Sequence, residues 1–583
     1  MSTSVNSLVD ANSSMSDIYS PLAEGEIRLV KLIAGSGRPI RCSPIQTPSA
    51  EAPPYEPLSY VWGSEKPSRE TIWPLYALRW PARDRLLWID ALAINQLDLD
   101  ERNSQVAIMP SIYSGSVRTI AWLGGWDAGP LEPGLWEDTM DKLFARISAP
   151  NFVNSFDSSS IAPLEELQTE VRTVYQLVGI EYWTRVWVMQ ELASSHSVVF
   201  QYGRYLVEFE VLRSWLKWLD HCWEAGGGYW PVNGTLDTST FLQGIEVFRT
   251  VQLDDFVPGS VGPDGGLLDM NSWLGRCCQL CHCSDPRDKI FGFNNCMTPG
   301  LKKCFAVDYT KTVPEVFAYS TRAIFDIMGN LEFMNKVDKW ARPDADSSYM
   351  LPSWVPNFGG RFFEAADFTQ NDTPSSSQSF YEVTDSGMTL RVRGQCLGIC
   401  ERVSDAFVSS INTGVHGSVA DSGKFATVFG HLKQAKASLG VQADSAELQS
   451  FVRTAIWPAK TPIELEKMQN LIARDDGEAS ELEDHGRVVA YWLNHHGQPM
   501  FSFHLSAGLV DDGDSTREFG IGVVGMRPGD QIWSVLGLAA LVIVRPLEGE
   551  GHFTLVGTAY SGIAGDKFEE IFRRGVDEDI SLR

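Results

Sequence analysis

At 583 residues the chain exceeds what one hydrophobic core usually supports, so two or three domains are expected, and an apolar fraction of 44% with 19 Trp gives them material to bury. A formal charge of −26 and a pI near 4.8 argue against a nucleic-acid partner, whose phosphates demand a clustered Lys/Arg field. Ten Cys are too sparse for a disulfide scaffold, the Ser-rich start has no signal-peptide pattern, and the longest apolar run, Ile532 to Val544, is too short to span a bilayer. The expectation is a soluble, intracellular, cytoplasmic protein without a membrane segment.

Residues 1–25 read as a disordered N-terminus, and Ile27 to Ile33 alternates well enough to open a sheet. Tyr55 to Val61 is short, aromatic and β-prone and runs into Gly63, which puts Ser59, Tyr60 and Trp62 near a strand tip. They form a ligand edge there, or Tyr60 and Trp62 are core aromatics. Between Glu65 and Leu86, Pro67, Pro74 and Pro81 leave little room for a strand plus a helix. Leu87 to Ile94 reads as a buried strand ending in Asn95 and Gln96, followed by a helix after Asp98 and a second strand from Thr119 to Leu123. Pro110 is expected to kink that helix. Strand, helix, strand is the unit of a parallel sheet, and such sheets bind ligands at the carboxyl ends of their strands. Asp90, Asn95 and Gln96 fall there, with turn capping as the plainer role.

Leu164 to Ile180 carries a helical apolar stripe, and Tyr182 to Ala193 forms a second helix with Trp183 and Trp187 one turn apart. Glu191 lies one turn from Trp187 and Val188, so it is either a half-buried carboxyl with a raised pKa or a solvated helix residue. A strand from Ser197 to Gln201 completes this region. From Phe209 to about Met328 the chain reads as mainly helical, with a break from Asp254 to Gly266. Cys277, Cys278, Cys281, His282 and Cys283 hint at zinc but lack the second ligand pair, so no metal is expected. Asp285 to Lys289 reads as a helix N-terminus tied by Arg287 to a neighbouring carboxylate. A polar linker from Phe363 to Ser379 precedes strand-like Met388 to Val403, and Ala406 to Gly423 and Gln434 to Asp484 read as irregular or helical insertions. The final stretch suggests a small β-barrel or sandwich. Its GxGxxG (Gly520, Gly522, Gly525) is followed by Pro528 and no helix, which argues against dinucleotide binding.

Four blocks in order, YEPLSYVWG (Tyr55 to Gly63), LWIDALAINQ (Leu87 to Gln96), ERNSQVAIM with IY and AWLG, and YWTRVWVMQEL (Tyr182 to Leu192), resemble the successive motifs of the fungal heterokaryon-incompatibility (HET) domain. Looser likeness runs on through DPRDKIFGF, VDYTKTVPEVF and LPSWVPNF. The chain departs from the family in the compressed Glu65–Leu86 segment, in Pro110, and in Ala93 where the family usually has Cys. The HET domain is distantly similar to the TIR fold. The resemblance therefore implies an α/β chain with a flavodoxin/TIR-like parallel-sheet domain over 26–205, and the residue patterns add a helical region over 206–345 and a C-terminal small β-rich domain with disordered insertions over 346–583.

In TIR domains a W-C-x-x-E-L helix motif carries the glutamate of the members that hydrolyse NAD. Trp187 to Leu192 fit it except that Val188 replaces the Cys, and Glu191 falls on the glutamate. The implied chemistry is cleavage of the nicotinamide–ribose bond through an oxocarbenium-like state that a carboxylate stabilises, with a neutral leaving group that needs no acid. Glu191 would be catalytic, with Tyr60, Trp62, Asp90, Asn95, Gln96 and Trp187 binding NAD as a substrate and no resident cofactor. The resemblance implies first a self/non-self recognition and cell-death signalling protein that self-associates or binds protein partners through its HET domain. The alternatives are an NAD-hydrolysing enzyme and an inactive relic.

Overall fold

The computed structural model describes residues 19–36, 39–61, 69–124, 180–203, 205–213, 281–297, 299–302, 305–339, 349–360, 379–384, 387–406, 422–442, 446–455, 469–470, 472–473, 498–511, 517–548, 551–563 and 565–583. Trp62, the stripe over 164–179, the break over 254–266, Cys277, Cys278 and the linker over 363–378 lie outside them. The chain divides into two units, Met1–Lys311 and Thr312–Arg583.

Among the described residues of the first unit, seven segments are strands: β1 (Glu26–Leu32), β2 (Cys42–Pro48), β3 (Glu56–Ser59), β4 (Arg85–Trp88), β5 (Thr119–Gly124), β6 (Val198–Tyr202) and β7 (Tyr205–Glu208). They lie in the order β2-β1-β4-β3-β5-β6-β7. The middle four are parallel to one another, whereas β1 meets β4 antiparallel and β7 meets β6 antiparallel. An α/β sheet is thus present, and antiparallel strands flank its parallel centre. Runs without polar alternation, such as Val198–Tyr202, are buried throughout, as strands covered on both faces must be. One face buries Val30, Leu58, Leu87, Ile120 and Val199 in a single apolar cluster.

Among the described residues, three helices longer than one turn lie between these strands: α1 (Arg69–Leu78), α2 (Leu99–Ser114) and α3 (Val186–Ser194). The compressed segment does hold a helix, α1, which runs through Pro74. The strand predicted over Leu87 to Ile94 is shorter than expected. It stops at Trp88, because the helix-favouring Asp90–Ala93 wind into one turn that the Ile94 N–H closes onto the Asp90 carbonyl at 3.1 Å. Helix α2 starts where Asp98 accepts from the backbone of Asp100 and Glu101, and it continues past Pro110 to Ser114 despite the backbone bond that proline forfeits.

Two ionic clusters, each centred on a buried carboxylate, pin the sheet. Glu56 at the start of β3 accepts from Arg85 at 2.6 Å and from Arg118 at 2.8 Å, which ties the amino ends of β3, β4 and β5. Burial alone would push the Glu56 carboxyl up, but the two guanidinium groups outweigh it and hold it below its ordinary value. Arg28 of β1, 0% exposed, donates to Glu101 of α2 at 2.8 Å and to the Ala93 carbonyl at 2.6 Å. The same Glu101 oxygen accepts the backbone N–H of Asn95 at 2.7 Å, so one ion pair holds the loop that follows β4.

The second unit opens with α4 (Val313–Met328), whose start is a capping box of Thr312 and Glu315. Its strands are β8 (Tyr381–Thr384), β9 (Thr389–Ala406), β10 (Pro499–Leu505), β11 (Arg517–Ile521), β12 (Gln531–Val535), β13 (Leu541–Pro546), β14 (His552–Ser561) and β15 (Glu578–Leu582). Pairings run β10-β11-β14-β13-β12-β9 and return from β9 to β10, so six strands close on themselves as a barrel. Long β9 serves both β12 and β10, and it bends near Gly398, where a Cβ would strike the His504 carbonyl. The interior holds Leu397, Phe501, Phe503, Ile532, Leu541 and Ile543. The GxGxxG glycines belong to this wall: a Cβ on Gly520 would meet Phe501, and Gly525 turns with φ 92°. Insertion residues form α5 (Ser422–Leu439) and α6 (Ala446–Ala455), and α7 (Gly565–Arg574) precedes β15. No helix among the described residues is long and apolar enough to cross a membrane.

Glu101→Gln should leave the Arg28 charge buried without its partner. A loss of about 3 kcal/mol or more in the urea-unfolding transition of the first unit is expected, against a near-neutral effect for Glu24→Gln on the surface.

Candidate functional site

The carboxyl ends of β3 and β4 meet helix α3 at one cluster of polar groups. In the block Tyr182–Leu192 only Arg185 and Glu191 are charged, and both turn inward to this point. Glu191 is 1% exposed. Its Oε2 accepts the hydroxyl of Ser59, the last residue of β3, and Ser59 Oγ lies 2.7 Å from the Tyr182 hydroxyl. A serine hydroxyl has one proton, so when Ser59 donates to Glu191 the Tyr182 O–H must donate to Ser59. The result is a two-step relay that ends on a carboxylate.

Arg185 caps the start of α3, and its guanidinium donates to the Tyr60 carbonyl just past β3. It faces both Glu191 and Asp90. Asp90 opens the helical turn after β4, where its Oδ1 accepts the Ala91 N–H at 2.7 Å. Burial pushes the Glu191 carboxyl up to about 7. The nearby Arg185 charge and the Ser59 hydrogen bond pull the other way, and the Asp90 charge adds to the rise. Tyr60, Tyr113 and Tyr182, all buried around these charges, are held far above the ordinary phenol range, first by desolvation and then by the carboxylates. The cluster therefore offers a carboxyl poised near neutrality, a fixed cation and hydroxyl groups at the ends of parallel strands.

The structure brings Glu191, Asp90 and Tyr60 together. The Tyr60 ring itself lies in the apolar cluster with Leu58 and Ile89. Asn95 and Gln96 are occupied locally: Asn95 Oδ1 accepts the Leu97 N–H at 3.3 Å, and Gln96 Nε2 donates to the Asp90 carbonyl at 3.2 Å. The Trp187 indole N–H donates to Asp288 at 3.2 Å, and Trp62 lies outside the described residues. Sequence reasoning passed over Arg185, Tyr182 and Tyr113. Arg185 was findable as the only cation in an otherwise apolar block, whereas nothing in the local pattern marks the two tyrosines.

Arg287 pairs with Asp285 at 2.7 Å, the tie expected of DPRDK. Cys281 and Cys283 have thiols pushed up to about 12 by burial, so neither is a thiolate at neutral pH. Among the described residues no group of three His, Cys, Asp or Glu side chains is placed to hold a metal.

Residues 55–191 match the family model described as heterokaryon incompatibility protein (HET). Heterokaryon incompatibility protein 6, OR allele, of Neurospora crassa is 22% identical over 352 residues, which are 54% of this chain and 51% of that one. The chain thus spans about half the length of this curated relative. No solved structure gives a significant match.

A buried acid whose folded pKa is raised from 4.5 to about 7 binds its proton more tightly in the native state than in the unfolded chain. Its contribution to stability is complete below pH 4.5 and is lost as pH rises through 7. Relative to Glu191→Gln, the parent should lose about 2 kcal/mol of unfolding free energy between pH 5 and pH 7, read by urea titration at each pH. Parallel pH profiles for the two proteins would rule this out.

Proposed function

We propose, from this chain's membership of the fungal HET-domain proteins, that it acts in heterokaryon incompatibility: its HET domain takes part in self/non-self recognition, associates with itself or a protein partner in the cytoplasm, and signals cell death. The observation that carries this is the ordered HET match over 55–191, supported by the relative whose printed name is an incompatibility protein. The strand order supports a flavodoxin/TIR-like core. Counted from β3, the four parallel strands stand second, first, third, fourth, which is the doubly wound pattern of that class. Successive connections there leave the first strand in opposite directions, and ligands bind beside its carboxyl end. Ser59 and Tyr60 occupy that end.

A second reading, NAD hydrolysis, is favoured by one observation: Glu191 is a buried carboxyl with a raised pKa, hydrogen-bonded at that switch point. In its ionised form it would receive ribose hydroxyls and stabilise an oxocarbenium-like centre, while nicotinamide leaves neutral. Asp90 and Tyr60 would border the substrate.

Expression of the full chain in a fungal host is expected to arrest growth. If Glu191→Gln abolishes the arrest and purified parent protein releases nicotinamide from NAD, the arrest is enzymatic. Arrest that persists in Glu191→Gln, with no nicotinamide released even at high protein concentration, assigns it to association alone. A full chain without effect on growth would overturn the incompatibility reading.

A further inference from the structure

Residues 281–297 and 305–311 lie beyond the family-matched residues, yet they touch four consecutive residues, Thr184 to Trp187, that lead into α3. Arg185 forms a parallel bridge with His282, whose N–H donates to the Thr184 carbonyl and whose carbonyl accepts the Val186 N–H at 3.1 Å. Val186 fills a notch at Gly292, where any Cβ would run into its Cγ1. Trp187 donates its indole N–H to Asp288. The stretch is itself anchored on α2. Asn103 accepts the Tyr309 N–H at 2.8 Å, the Arg102 guanidinium lies 3.7 Å from the Tyr309 ring centre, and Arg102 reaches Asp285 at 3.7 Å. The Tyr309 hydroxyl closes the assembly by donating to Asp288 at 2.6 Å, and Arg287 fastens it with bonds to Asp285 and to the Tyr309 and Lys311 carbonyls.

We infer that residues 281–297 and 305–311 form a clamp that sets the position of Arg185 against Glu191, with Asp288 and Gly292 as positioning residues. The physical route is short. Arg185 is the cation that faces Glu191, and its backbone is fixed by the His282 bridge while the two residues after it are gripped at Gly292 and Asp288. Loosening the grip lets the guanidinium withdraw. The groups left facing Glu191 are then the Ser59 hydroxyl, Asp90 and the Tyr182, Tyr60 and Tyr113 phenols, none of which supplies positive charge. Around Asp288 the facing groups are Tyr309, Trp187, Asp285, Arg102, Arg287 and Cys283. The inference concerns the geometry of the cluster and stands whether or not the cluster turns over a substrate.

The test is the titration of Glu191 in the full chain, followed by the infrared carbonyl band of its protonated form, identified as the band absent from Glu191→Gln. In the parent the midpoint is expected near 7. In Gly292→Ala and in Asp288→Asn it should rise by about 0.5 unit or more, roughly a threefold fall in the acid constant. The direction discriminates. Asp288→Asn removes a negative charge, which acting through space alone would lower the midpoint, so a rise reports displacement of Arg185. Leu212→Ala, a cavity variant elsewhere in the first unit, should lower stability without moving the midpoint. If Gly292→Ala fails to fold, Asp288→Asn and Trp187→Phe, neither larger than the parent, carry the measurement. A midpoint that stays put or falls in folded variants overturns the clamp, as does failure of all three to fold.

Discussion

Placing an ionisable carboxyl between the tip of the first parallel strand and a helix packed on it is the constraint around which the first unit is built. A lone carboxylate in such a place would be driven to its neutral form, because burial removes the water that stabilises charge. Glu191 is given one hydroxyl and one guanidinium, enough to offset part of that penalty and leave it near neutrality. Glu56, at the opposite end of the same strand, has two arginines and is held ionised. The two ends of β3 therefore carry carboxyls with opposite assignments. At the amino end the ion pairs are complete and serve to join strands. At the carboxyl end the pairing is partial, and partial pairing is what makes a group responsive.

Much of this was legible in the sequence, and the parts that were not share a cause. Unbroken apolar runs gave β3, β5 and β6 nearly to the residue, since a strand buried on both faces has no other way to be written. The run Leu87–Ile94 misled because apolar residues alone do not distinguish a strand from a buried helical turn, and Asp90–Ala93 prefer the turn. Pro74 and Pro110 stand inside α1 and α2, which run on through residues that cost them a backbone bond. Glu191 was singled out through its block, but burial raises its pKa while Ser59 and Arg185 restrain the rise, and Ser59 is 132 positions away in the chain. Contacts at that separation leave no periodic trace. Asp288 and Gly292 were invisible as positioning residues for the same reason, since their partners Trp187 and Val186 lie on an element about a hundred residues earlier.

The second unit shows a different solution to burial. Its strands leave few edges because the pairing returns from β9 to β10, so backbone groups that an open sheet would expose are satisfied around the ring. That closure explains the glycines which imitate a nucleotide-binding pattern. Gly520 is small because Phe501 occupies the space a side chain would need, and the motif is a packing consequence of a tight barrel.

The relay from Tyr182 through Ser59 links the protonation of Glu191 to the backbone that carries it. While Glu191 is ionised, both hydroxyls must point toward it. Once it is protonated, its own O–H seeks an acceptor, and the two hydroxyls are free to reverse. Ser59 ends β3, and the next residue presents its carbonyl to Arg185, which itself attends Glu191. A proton gained or lost at the carboxyl thus alters the demands on both side chains that hold the tip of β3. Because the group is half-protonated near neutral pH, that change lies within reach of modest shifts in its surroundings, a ligand charge or a displaced arginine among them. A fully paired carboxylate such as Glu56 offers no such sensitivity, and that contrast separates the two ends of one strand.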